Sequence, residues 1–102
     1  MASILVESGQ RWGNEAKRRY AATLAAAMRQ VAADPEGPVT HDRSELLPGI
    51  RSFHLRHARL PDTLKVRRPA HVLYYRAVQP DLVEIVRIIH ERMEPTRQFG
   101  PD

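Results

Sequence analysis

Residues 71–90, HVLYYRAVQPDLVEIVRIIH, decide the fold. HVLYYRAV (71–78) is rich in β-branched and aromatic residues, VEIVRIIH (83–90) nearly so, and both read as strands. Gln79-Pro80-Asp81-Leu82 between them suits a turn with proline at its second position. Working back, SFHLRHA (52–58) alternates, with Phe53 and Leu55 on one side and His54 and Arg56 on the other, the pattern of a third strand. Residues 59–69 are too long and irregular for a tight hairpin. Working forward, ERMEPTRQFGPD (91–102) carries a breaker at Pro95 and reads as a tail that wraps back.

The first third has a different period. From Glu15 to Ala33, Ala16, Tyr20, Leu24, Ala27, Met28 and Val31 recur at spacings of three and four, one face of an amphipathic helix. Alanines between Ala21 and Ala33 favour helix and leave a narrow, closely packable surface. Asn14 suits the N-cap, and Pro35 forces a stop near Asp34. Ser3 to Arg11 reads as a shorter helix ended by Gly13, which makes a helical hairpin. Residues 34–50, with three prolines and two glycines, read as a connecting loop. Two helices followed by three strands make an α+β domain with an antiparallel sheet.

At 102 residues the chain has room for one domain. It has no cysteine, which excludes a disulfide framework and a thiolate zinc site. The apolar runs are far short of a membrane span, and MASILVESGQ lacks the basic start and long apolar stretch of a secretion signal, so a cytoplasmic protein is expected. The net charge of +4 is unevenly placed: residues 1–50 balance six basic against six acidic residues, and residues 51–102 hold ten against six. Between Arg51 and Arg76 there are seven basic residues against Asp62 alone. Such a stretch is either a solvated face or the seat of an anionic partner.

RWGNEAKRRYAATLAAAMRQVAADP resembles the helix of bacterial ParE-type toxins, with its Trp-Gly turn, its Arg-Tyr and its terminal Asp-Pro. LPGIRSFHLRHAR, VRRPAHVLYYRAV and VEIVRIIHERMEPTRQF resemble that family's three successive strands and tail, Tyr75-Arg76 and Ile85 to His90 followed by Met93 above all. The order and spacing cover nearly the whole chain, on the ParE side of the RelE/ParE superfamily. The resemblance implies a single toxin domain over 1–102: helical hairpin 1–34, connecting loop 35–50, antiparallel sheet 51–90 and tail 91–102. Family members begin with a β-strand, whereas Ile4-Leu5-Val6 matches their first helix. The family's first strand is therefore expected to be missing, leaving a three-stranded sheet with one unprotected edge.

The resemblance also implies a bacterial type II toxin–antitoxin system: a toxin that inhibits DNA gyrase by binding, neutralised by a cognate ParD-like antitoxin in a hetero-oligomer. No cofactor, no metal, no direct DNA binding and no membrane are expected. Antitoxin or target contacts are expected from Arg51, Arg56, Arg67, Arg68, Arg76, Arg87, His90, Arg92, Met93 and Arg97. The alternatives are a RelE-like, ribosome-dependent mRNA endonuclease using Arg76, Arg87 and His90, or a shortened non-toxic module that binds antitoxin. Cleavage needs a base, an acid and cations at one place, but Arg87 and His90 lie three apart on a strand and face opposite sides. His54-x-x-His57 faces the same objection as a metal motif. Arg76 can equally pair with Glu84 across the sheet, and His90 can orient the tail through hydrogen bonds.

Overall fold

The computed structural model describes residues 14–80 and 82–99. The expected first helix, Ser3–Arg11, and its Gly13 terminator lie outside them. Helix α1 runs Asn14–Ala33 and stops where Pro35 removes the next backbone donor. Four strands follow: β1 Thr40–Asp42, β2 Ile50–His54, β3 His71–Gln79 and β4 Leu82–His90. They form one antiparallel sheet in the order β1-β2-β3-β4. A short helix α2, Pro95–Phe99, closes the described chain.

The fourth strand corrects the expectation of three. Thr40, His41 and Asp42, read as loop, pair with Phe53, Ser52 and Arg51. Tertiary pairing made this strand, not its own pattern, because three residues are too few to show alternation. The turn that returns the chain to β2 is legible afterwards: Ile50 donates to the Leu47 carbonyl across Pro48-Gly49, and Gly49 has φ +79°. Proline then glycine at the two central positions is the type II pattern, and the left-handed φ favours glycine. The shortness of β1 and its charged Asp42 protect that edge.

The helix crosses one face of the sheet. Ala26, Ala27 and Val31 pack on Phe53, Leu55, Leu73 and Tyr75, with Tyr20, Leu24, Val83 and Ile85 around them. The buried face of α1 is turned slightly from the expected one: Ala16 is exposed and Met28 half-buried, while Thr23 and Ala26 are buried. Thr23 escaped the pattern because it is polar, but its hydroxyl donates to the Arg19 carbonyl within the helix (2.8 Å). The Tyr75 hydroxyl donates to the Pro35 carbonyl (2.5 Å), fastening the end of α1 to the middle of the sheet.

The opposite face carries a second cluster: Leu46, Ile50, Tyr74 and Ile89, joined by Val72, Val86 and Phe99. The loop before β2 and helix α2 supply its cover. Pro95 does break the preceding segment, but it also opens α2, a position where its missing N–H costs nothing. A slip in register between Tyr74 and Tyr75 leaves Val86 as an extra residue on β4, so Val86 and the neighbouring Arg87 both serve this second face.

Candidate partner-binding surface

The expected contact residues divide into three groups. Arg76 and Arg87 lie on the sheet face away from α1. Arg76 donates to Glu84 Oε1 through Nη2 (2.6 Å) and Nε (3.2 Å), the cross-strand pair the sequence allows. Arg87 places its guanidinium carbon 5.9 Å from the centre of the Phe99 ring. Arg92, Met93 and Arg97 form an exposed ridge on the tail, with Met93 47% exposed. Arg56, Arg67 and Arg68 are exposed on the long β2–β3 connection.

Arg51 belongs with none of these groups. It is half-buried and turned inward, donating from Nη2 to the Thr40 hydroxyl (2.8 Å), while its Nε is buried without a partner. Burial pushes the Tyr75 hydroxyl above its ordinary range, and hydrogen bonding toward Thr40 and Arg51 opposes that shift. The residues around Arg51 thus tie β1 to β2 and β3.

His54 and His90 hold the tail. His54 accepts the Arg56 N–H at Nδ1 (3.1 Å), so its proton sits on Nε2, which donates to Glu91 Oε1 (2.6 Å). That bond is the main reason the Glu91 carboxyl lies below its ordinary range. Glu91 also donates its backbone N–H to Ala70 (2.7 Å). His90 accepts the Arg92 N–H at Nδ1 (3.1 Å), the tail-orienting role its position suggests. Its ring meets His71 edge-on at 5.4 Å, and His71 meets Tyr20 of α1 at 5.7 Å. His90 therefore lies on the helix side of the sheet, opposite Arg76 and Arg87.

A cleft of about 460 Å³ opens between β1, β2 and the tail, bordered by His41, Arg43, Ser52, His54, Tyr74 and Glu91. The reading of His54 and His57 as opposed strand residues is corrected here. The strand ends at His54, and the 3₁₀ turn Leu55–His57 brings both side chains to this same cleft. Sequence reasoning missed His41, Ser52 and Tyr74 as cleft residues. The alternation that places Ser52 beside His54 was available, but His41 depended on the unrecognised β1.

Burial pushes the His71 imidazole below the ordinary histidine range, with His90 adding to the shift, and burial does the same to His57 with help from Arg56. A depressed histidine keeps its neutral form in the folded chain, so below an ordinary pKa of about 6.5 the unfolded chain binds more protons. Stability is therefore full above that value and falls as pH drops through the folded-state values. Thermal melts should show a lower Tm at about pH 5.5 than at about pH 7.5, with a shallower dependence in His71→Gln. Equal melting temperatures at both pH values would contradict this account.

Among the described residues, no helix is long and apolar enough to cross a membrane, and no group of three His, Asp or Glu side chains is placed to hold a metal. Residues 4–95 match the family model of the ParE toxin of the type II toxin–antitoxin system, parDE. Toxin ParE1 of Mycobacterium tuberculosis, from strains CDC 1551 / Oshkosh and ATCC 25618 / H37Rv, is 28% identical over 89 residues, which cover 87% of this chain and 76% of the relative. No solved structure gives a significant match. A helix laid across an antiparallel sheet, with the family match running from before that helix to the tail, places this chain in the ParE toxin family of type II toxin–antitoxin systems.

Proposed function

We propose that this toxin acts in the cytoplasm by binding DNA gyrase and blocking its supercoiling, and that a ParD-like antitoxin masks it in a hetero-oligomer. The whole chain, 1–102, acts as one toxin domain. The observation that carries the reading is the family match across residues 4–95. Binding rather than RNA cleavage is favoured by the scatter of the cleavage candidates. Arg76 is held by Glu84, Arg87 stacks on Phe99, and His90 lies on the other side of the sheet with Nδ1 already accepting a hydrogen bond. A base, an acid and a phosphate-binding cation do not converge from these three. The exposed tail residues Arg92, Met93 and Arg97 form part of the target contact.

The test is a supercoiling assay with purified gyrase, ATP and relaxed plasmid, beside pulse labelling after induction in bacteria. The expected result is lost supercoiling at near-stoichiometric toxin and an early fall in DNA synthesis with translation intact. An early fall in translation with supercoiling unaffected would assign messenger cleavage instead. No effect on either, with the protein present, would leave an antitoxin-binding module.

A further inference from the structure

The β2–β3 connection is more than a link. After His54 it makes two 3₁₀ turns, Leu55–His57 and Asp62–Leu64, and runs beside α1 to reach β3. Its apolar side chains turn inward: Leu55 and Ala58 are buried, and Leu60 packs against the main core. Its cations turn outward, with Arg56, Arg59, Lys65, Arg67 and Arg68 all exposed. Between the two sets lies a pit of about 170 Å³ against α1, floored by Leu55, Leu60 and Val66 and bordered by Arg56, Lys65 and Arg67.

Several cations elsewhere have carboxylates of their own. Arg18 and Arg19 share Glu15, Arg43 holds Glu45, and Arg76 holds Glu84. Around the pit, the sole acid of residues 51–76 is Asp62, 98% exposed and 3.6 Å from Lys65, a pairing worth little in water. Among the described residues, Arg56 and Arg67 have no carboxylate within ion-pair distance. An apolar floor bordered by two arginines and a lysine, neither arginine having a carboxylate within ion-pair distance among the described residues, fits a ligand that is apolar at its centre and anionic around it. A phosphate backbone would meet the cations but leave the floor uncovered, and no aromatic ring in the pit offers a stack for a base.

We propose that this pit anchors an acidic amphipathic segment of the antitoxin. One large apolar side chain enters over Leu55, Leu60 and Val66, and carboxylates flanking it on the same face pair with Arg56, Lys65 and Arg67. Bidentate Arg–carboxylate pairs fix the segment's register, and the charge excess steers its approach. The assignment rests on the toxin–antitoxin reading. It places recognition on the β2–β3 connection, not on the strand arginines of the opposite face.

The experiment measures binding of the antitoxin encoded beside this gene to the full-length chain by titration calorimetry. It compares wild type, Arg56→Glu/Arg67→Glu, and the charge-matched pair Arg76→Glu/Arg87→Glu, with circular dichroism to confirm folding. Arg56→Gln/Arg67→Gln stands in if the reversal variant fails to fold. The expected result is roughly thirtyfold weaker binding for the pit variant, change of at most about threefold for the sheet-face variant, and loss of affinity with added salt. Wild-type affinity in the pit variant, or a larger loss in the sheet-face variant, would overturn the site and leave the toxin–antitoxin reading standing. Absence of binding to the wild-type chain would sink that reading instead. A labelled peptide with Leu and Glu at helical spacing would then test the pit: binding lost in the pit variant supports it, and no binding overturns it. Binding of a labelled DNA duplex through Arg56 and Arg67 would reassign the surface to nucleic acid and overturn the proposal.

Discussion

Phe53→Ala will remove about 3–5 kcal/mol of folding stability. Phe53 is 1% exposed and lies in the cluster that joins α1 to the sheet. Its strand is paired on both sides, Phe53 standing opposite Thr40 of β1 and Leu73 of β3. Its ring also meets His57 edge-on at 6.2 Å, in the 3₁₀ turn that starts the basic connection. The small side chains of Ala26 and Ala27 let the helix sit close to the sheet, and they have no atoms with which to refill the space. A cavity therefore remains, and its cost adds to the lost transfer energy. Against a typical total of about 5–15 kcal/mol, this is a large share of the folding free energy, and at the low end of that range it leaves the variant partly unfolded. Urea titration should show a lower midpoint with an unchanged slope. A loss under about 1 kcal/mol would mean that α1 settles onto the sheet and that the core is less rigid than its burial implies.

The elements that could be read from the sequence are those whose residues face two chemically different surroundings. The period of α1 is legible because Ala26, Ala27 and Val31 pack while Lys17, Arg18 and Arg29 meet water. β3 and β4 are legible because β-branched and aromatic residues fill both faces of a sheet that has cover on both sides. The Arg76–Glu84 pair and the grip of His90 on the tail are short-range, so sequence spacing carries them. β1 was hidden because Thr40, His41 and Asp42 become a strand only when β2 lies beside them. The bulge at Val86 and the turn after His54 were hidden too, since each changes which face a side chain takes after the alternation has been set. Site residues suffer most from this: Arg51 is drawn inward to Thr40, and His57 is swung onto the same cleft as His54. The charge excess of residues 51–76 was plain in the sequence, but not the pit it surrounds, because Leu55, Leu60 and Val66 converge only through their packing against α1.

Cutting the chain after His90 will abolish the proposed inhibition of gyrase, yet it will not show that the tail makes contact. The cut removes Glu91, which takes the Nε2 proton bond of His54 at 2.6 Å and bonds Ala70 through its backbone at 2.7 Å. It also removes Phe99, whose ring lies 5.2 Å from Tyr74 and covers the second cluster. Tyr74, 4% exposed in the intact chain, would meet water, and the sheet would lose cover from one face. Loss of activity would then follow from loss of fold. The separating variant is Met93→Asp/Arg97→Glu, since both residues are exposed and neither makes a hydrogen bond or ion pair with its side chain among the described residues. Such surface changes usually leave stability within about 0.5 kcal/mol. If the tail contacts the target, an apolar anchor and a cation are both reversed in character, and inhibition should weaken roughly tenfold or more, about 1.4 kcal/mol of binding. Titration of supercoiling against toxin concentration, beside a urea melt, separates the two effects. Inhibition equal to wild type in this variant would place the target surface elsewhere and reduce the tail to a cover for Tyr74 and Ile89.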